Sequence, residues 1–185
     1  MKTIKFLSVL LIAIISFTSC SKDDDTKPEL VNEEELITTL QVTLMSSDLS
    51  SIVKLKMTDL DGDGPNAPTI NVSGNLVAGI SYDGVVQVLN ETESPAEDIT
   101  LEVEEEGLEH QFFYTVGGGL DITTEYSNFD SAGNNLGTEF KLNAGSASNG
   151  TLTFTLRHEP TKPNTGLADA GGETDIETTF NLSVE

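Results

Sequence analysis

Apolar and polar residues alternate with a period of two where the chain beyond residue 35 begins and again where it ends. Leu36, Thr38, Leu40, Val42 and Leu44 fall on one side of an extended strand, with Ile37, Thr39, Gln41 and Thr43 on the other. Ile176, Thr178, Phe180, Leu182 and Val184 repeat the pattern against Glu177, Thr179, Asn181 and Ser183. A helix turns about 100° per residue and would scatter both sets around its circumference, so half-buried strands are favoured. Eight more strands are predicted between these ends, near 51–58, 74–82, 85–91, 98–105, 108–116, 120–126, 136–144 and 150–158. No segment holds a helical period. Short strands separated by turn residues predict an all-β domain, a single antiparallel β-sandwich of immunoglobulin-like or jelly-roll type with about ten strands. A closed β-barrel is the alternative.

Turn chemistry places the joints. Asp83-Gly84 between ISY and VVQVL reads as a type I′ hairpin, whose central residues both need positive φ. Glu106-Gly107, Gly117-Gly118-Gly119 and Asn149-Gly150 punctuate other strands. If every strand runs opposite to its predecessor, loops alternate between the two ends of the domain. Loops 46–50, 83–84, 106–107, 127–135 and 159–173 then lie far from the start of the first strand. Loops 59–73, 92–97, 117–119 and 145–149, with the C-terminus, lie at the near end.

The chain ahead of this domain carries an address. Lys2 and Lys5 precede the apolar run Phe6 to Phe17, which is shorter than the roughly 20 residues that span a bilayer. Small residues follow, then Cys20. This is the pattern of a removable signal peptide over 1–19, and the cysteine after it resembles a bacterial lipobox. That resemblance implies an acylated, palmitate-bearing Cys20 as the first residue of a lipoprotein. Ser21-Lys22-Asp23-Asp24-Asp25 resembles the export signal of Bacteroidetes-type surface lipoproteins, with Lys22, Asp23 and Asp24 as its elements. It implies an outer-membrane protein facing outward at the cell surface. Residues 20–34 are polar and charged and read as a lipidated flexible tether to a domain over 35–185.

Charge then limits the partners. Lys2 and Lys5 leave with the signal, so seven basic residues face 31 acidic ones and the mature chain carries a formal −24. That field repels nucleic acid and anionic lipid, so membrane attachment rests on acyl chains. Cys20 is the only cysteine, which excludes an internal disulfide and a cysteine-based zinc site.

Two stretches carry ligand chemistry. Asp59-Leu60-Asp61-Gly62-Asp63-Gly64 spaces oxygen donors like the front of a calcium loop. The EF-hand pattern needs a glutamate at loop position twelve, where this chain has Ile70, so the expectation is a calcium ion at Asp59, Asp61 and Asp63 that stiffens a loop. The second stretch is a pair. His110 and His158, the only histidines, each share a side with the apolar residues of their strand. Glu159, Glu173 and Asp175 flank the loop between His158 and the last strand. Neutral imidazoles with carboxylates suit zinc, copper or iron. An inward histidine that merely caps the core through a loop carbonyl is the plainer reading.

Other signals are slighter. Asp130-Ser131-Ala132 resembles the three-residue O-glycosylation site of Bacteroidetes-type exported proteins, with Ser131 as acceptor. The acidic run Glu102, Glu104, Glu105 and Glu106 reads as a solvated face. No G-x-S-x-G elbow, H-E-x-x-H pair or phosphate-binding glycine loop occurs, and no enzyme is expected.

EHQFFY at 109–114, LRHEP at 156–160 and GGETDIE at 171–177 resemble a family of small flavobacterial lipoproteins labelled "type 1 periplasmic binding fold superfamily protein". The resemblance implies a cell-envelope protein serving an outer-membrane receptor. Its label implies helices alternating with strands around a parallel sheet, which the two-residue rhythm and the chain length argue against. The expected function is therefore a lipid-anchored binding module. The alternatives are a structural sandwich with a calcium-stabilised loop and, last, a surface hydrolase.

Overall fold

Leu40, Val42 and Leu44 are fully buried, as the alternation requires, and they form the centre of the first of two antiparallel sheets. The computed structural model describes residues 36–62 and 64–185, which belong to one unit, Glu34–Glu185. The signal peptide, Cys20, Lys22, Asp23 and Asp24 lie outside the described residues, as does Asp63.

The elements in chain order are β1 (Thr39–Ser46), β2 (Ile52–Thr58), β3 (Thr69–Val72), β4 (Ser81–Asn90), β5 (Glu97–Asp98), α1 (Thr100–Glu105), β6 (His110–Gly117), β7 (Ile122–Tyr126), β8 (Glu139–Ala144), β9 (Ser148–His158), α2 (Leu167–Ala170) and β10 (Glu173–Val184). The first sheet runs β3-β2-β1-β4-β8-β7, with β5 paired to β4, and the second runs β10-β9-β6. Neither sheet closes on itself, so the fold is a sandwich and the barrel alternative falls. Phe140 of one sheet meets Phe154 of the other edge-on at 5.7 Å between ring centroids, and Phe154 meets Phe180 at 6.0 Å. Each ring is fully buried, a burial that stabilises by about 1.5–3 kcal/mol apiece.

Two expectations about the strands fail, for separate physical reasons. Asp83-Gly84 is not a hairpin: β4 runs straight through it, with Asp83 opposite Met45 and Gly84 opposite Leu44. Gly84 is there for room, because a Cβ at this position would lie 2.5 Å from the Phe140 ring. Gly84→Ala should therefore cost about 1–3 kcal/mol by overpacking, read as a lower urea midpoint. An unchanged midpoint would mean the ring has space to move aside. Residues 98–105 are not a strand either. Ile99 and Val103, four apart, are buried while Leu101 is 62% exposed, so the segment buries a helical face as α1. The Asp98 carboxylate accepts the Thr100 N–H at its start.

These two errors shift the count, and the far-end assignments change with it. β9 runs toward the end where β1 begins, so His158 and the 159–172 loop sit there, joined by His110 and the 127–138 loop. Val184 bridges Leu76 at the opposite end, where the C-terminus lies. The histidines and the Asp59 loop, expected at opposite ends, are at the same one.

Candidate metal centre

Three strands converge on the site. In the β6–β9 ladder His110 is directly opposite His158, and in the β9–β10 ladder His158 is opposite Glu173. Directly opposed residues project to the same face, so the two imidazoles meet inside the sandwich with ring centroids 4.6 Å apart. His110 is fully buried and His158 is 3% exposed.

The third member arrives by an irregularity. Strict alternation along β10 would turn Asp175 outward, because Ile176, Thr178 and Phe180 face the core. The ladder slips between Thr174, paired with Arg157, and Ile176, paired with Leu156, which leaves Asp175 as the extra residue of a β-bulge. A bulge re-aims a side chain, and the Asp175 side chain is 1% exposed. Arg157 anchors the strand just ahead of it, donating from Nη1 to Thr174 Oγ1 at 2.7 Å.

One donor atom each from His110, His158 and Asp175 can be chosen so that all lie within 4.8 Å of one another. Among the described residues this is the one group of three or more metal-ligating side chains so arranged. A zinc ion bound tetrahedrally at about 2.0–2.1 Å would hold neighbouring donors roughly 3.3 Å apart, so loading draws this trio together by on the order of 1 Å. His158 Nδ1 lies 3.8 Å from Asp175 Oδ1, too long for a hydrogen bond. Both ring nitrogens of His158 are buried with no hydrogen-bond partner. Leaving a buried polar group unsatisfied costs about 1–3 kcal/mol, and a cation between the rings would offset that.

The surroundings orient the first ligand. His110 Nδ1 lies 3.3 Å from the Glu106 carbonyl oxygen. A carbonyl only accepts, so Nδ1 carries the proton and Nε2 presents the lone pair of the neutral ring, the arrangement that readies a histidine for a metal. A lysine clamps the same segment from behind. Lys162, on the 159–172 loop, donates from Nζ to the carbonyls of Gly107 at 2.6 Å and His110 at 2.5 Å, and lies 3.2 Å from Asp130 Oδ2. Its side chain is 5% exposed and that of Asp130 is fully buried.

Burial pushes the Asp130 carboxyl up. Hydrogen bonds from Asn134, Lys162 and Ala132 outweigh it and leave the group below the usual carboxylate range. Burial also lowers the Lys162 ammonium, partly offset by Asp130. Lysine at 162 lies between Pro160 and Pro163 in a loop, and no spacing rule announces that it reaches the core.

The other candidate residues stay apart. Glu159 and Glu173 are exposed and outside the histidine cluster. In the calcium loop, Asp61 is committed to Asn66, accepting from its side-chain amide at 2.7 Å and its backbone N–H at 3.3 Å. Asn66 holds the Asp61 carboxyl below its usual range. No group of three acidic donors forms there among the described residues. Ser131 is exposed, whereas its neighbour Asp130 serves the buried ion pair.

No protein-family model, curated protein or solved structure matches this chain.

Proposed function

We propose that this protein is a lipid-anchored binding module of the bacterial cell envelope and that its ligand is a transition-metal ion, zinc or a metal of similar preference. His110, His158 and Asp175 would hold the ion. The observation that carries the reading is His158. A histidine 3% exposed, with neither ring nitrogen hydrogen-bonded, stands beside a second imidazole and a buried carboxylate. A core histidine kept only for packing would have at least one nitrogen satisfied. Two nitrogens and one carboxylate oxygen are the donor types that zinc, copper and iron accept, and calcium prefers oxygen alone.

The lipid anchor is supported by the leader and Cys20, and outward display by Lys22, Asp23 and Asp24. The resemblance to flavobacterial envelope lipoproteins supports service to an outer-membrane receptor. Nothing in the site argues for hydrolysis: the ligands are sealed from solvent, and no nucleophile stands beside them among the described residues.

Isothermal titration of the full-length protein with zinc is the direct test, with one ion per chain expected and none in His158→Ala. Attachment has its own test. Cys20→Ser should move the protein from the membrane to the soluble fraction of lysed cells. A variant that sediments with membranes as before would remove the lipid anchor.

A further inference from the structure

His110 and His158 are sealed inside the sandwich, so an ion cannot reach them directly from solvent. A groove of about 660 Å³ runs between the two outermost strands on one side, β3 of the first sheet and β10 of the second. Leu36, Met57, Ile70 and Glu177 are among its walls, and Asp175 lines it too. Asp175 is thus the one member of the metal cluster that also borders the groove. No lysine, arginine or histidine lines it.

Asp59 lines the same groove. Its Oδ1 is buried and has no hydrogen-bond partner. A desolvated carboxylate oxygen without a donor is costly, and an approaching cation relieves that cost. Asp59 is not one of the three clustered ligands. It stands on the way to them, on the loop after β2, and its backbone N–H bonds the Thr38 carbonyl at 2.8 Å, which ties the loop to the first strand.

We propose that this groove is the path by which the metal ion reaches its site, and that Asp59 is the carboxylate that captures the ion first and hands it to Asp175. The proposal rests on the metal reading above and adds a route to it. A carboxylate on the route that does not touch the seated ion changes association and dissociation by the same factor. The affinity is then untouched.

The test is stopped-flow uptake of cobalt(II) by the full-length protein, followed by its visible absorption, in wild type, Asp59→Asn and Glu125→Gln. Glu125 is an exposed carboxylate on β7, at the other edge of the first sheet, so its loss changes net charge equally without touching the groove. Asp59→Asn should slow uptake and release alike by about tenfold, the lower end of what charge steering supplies, with the equilibrium affinity unchanged. Glu125→Gln should leave both rates as in wild type.

Equal slowing in both variants would assign the effect to overall charge and overturn the route. Unchanged rates in Asp59→Asn would do the same. Faster release with weaker affinity would make Asp59 a ligand of the seated ion, which also overturns the handover. If Asp59→Asn does not fold, Asp59→Ser replaces it, with the same expectations. Wild type that takes up no cobalt would sink the metal reading itself, a result distinct from uptake at unaltered rates.

Discussion

Zinc at about a hundredfold excess over its Kd will raise the melting temperature of the full-length protein by about 5–10 °C, and His158→Ala will abolish the rise. Binding to the folded state alone supplies about 2.7 kcal/mol at that excess. The same residue has a second, opposite signature. His158 is a buried polar side chain with no hydrogen-bond partner, so replacing it with an apolar group of similar length removes a cost of about 1–3 kcal/mol. His158→Leu should therefore melt above metal-free wild type and show no response to zinc. A residue that destabilises the fold and is kept for its ligand behaves this way. A His158→Leu variant that melts below metal-free wild type would mean that the ring contributes to packing instead. Scanning calorimetry with and without zinc reads both effects.

Asp130→Ala will cost about 3–5 kcal/mol, because it leaves the Lys162 ammonium buried without its counter-charge. It also removes the acceptor for the backbone N–H groups of Ala132 and Asn134, bonded at 2.9 Å each. Lys162→Met should cost less, since the Asp130 carboxylate keeps those bonds and the Asn134 side chain. Chemical denaturation measures both, and equal losses would show that the ion pair, not the turn, carries the stability. The pair also sets an acid limit. The folded Asp130 carboxyl lies below its unfolded value of about 3.9. Its contribution is therefore fully present above that unfolded value and is lost as pH falls through the folded one. Wild type should lose stability over that acid range more steeply than Asp130→Ala. Parallel acid limbs would place the titration elsewhere.

The sandwich was legible because period-two burial is a backbone property: Ile176, Thr178, Phe180, Leu182 and Val184 are all buried as the alternation demands. Gly84 misled because glycine serves two ends. Asp-Gly signals positive φ, yet here the missing Cβ makes room for Phe140. Ile99 and Val103 misled because a six-residue helix leaves too short a trace to be told from alternation. Those two slips inverted the loop assignment.

The histidine pair nevertheless came through, because each ring's inward side depends only on its own strand. Asp175 was named for its place beside the loop, but its inward turn depends on a bulge that no alternation rule contains. Glu159 and Glu173 share that neighbourhood in sequence and stay in solvent. The Lys162–Asp130 pair spans two loops brought together only by the fold, so no local pattern points to it.

Anomalous diffraction at the zinc edge from crystals of the zinc-loaded protein tests the centre most directly. A single strong peak is expected among His110, His158 and Asp175, with zinc–nitrogen distances of about 2.0–2.1 Å to both rings. Zinc found only on surface carboxylates, with the two imidazoles still 4.6 Å apart between centroids, would contradict it.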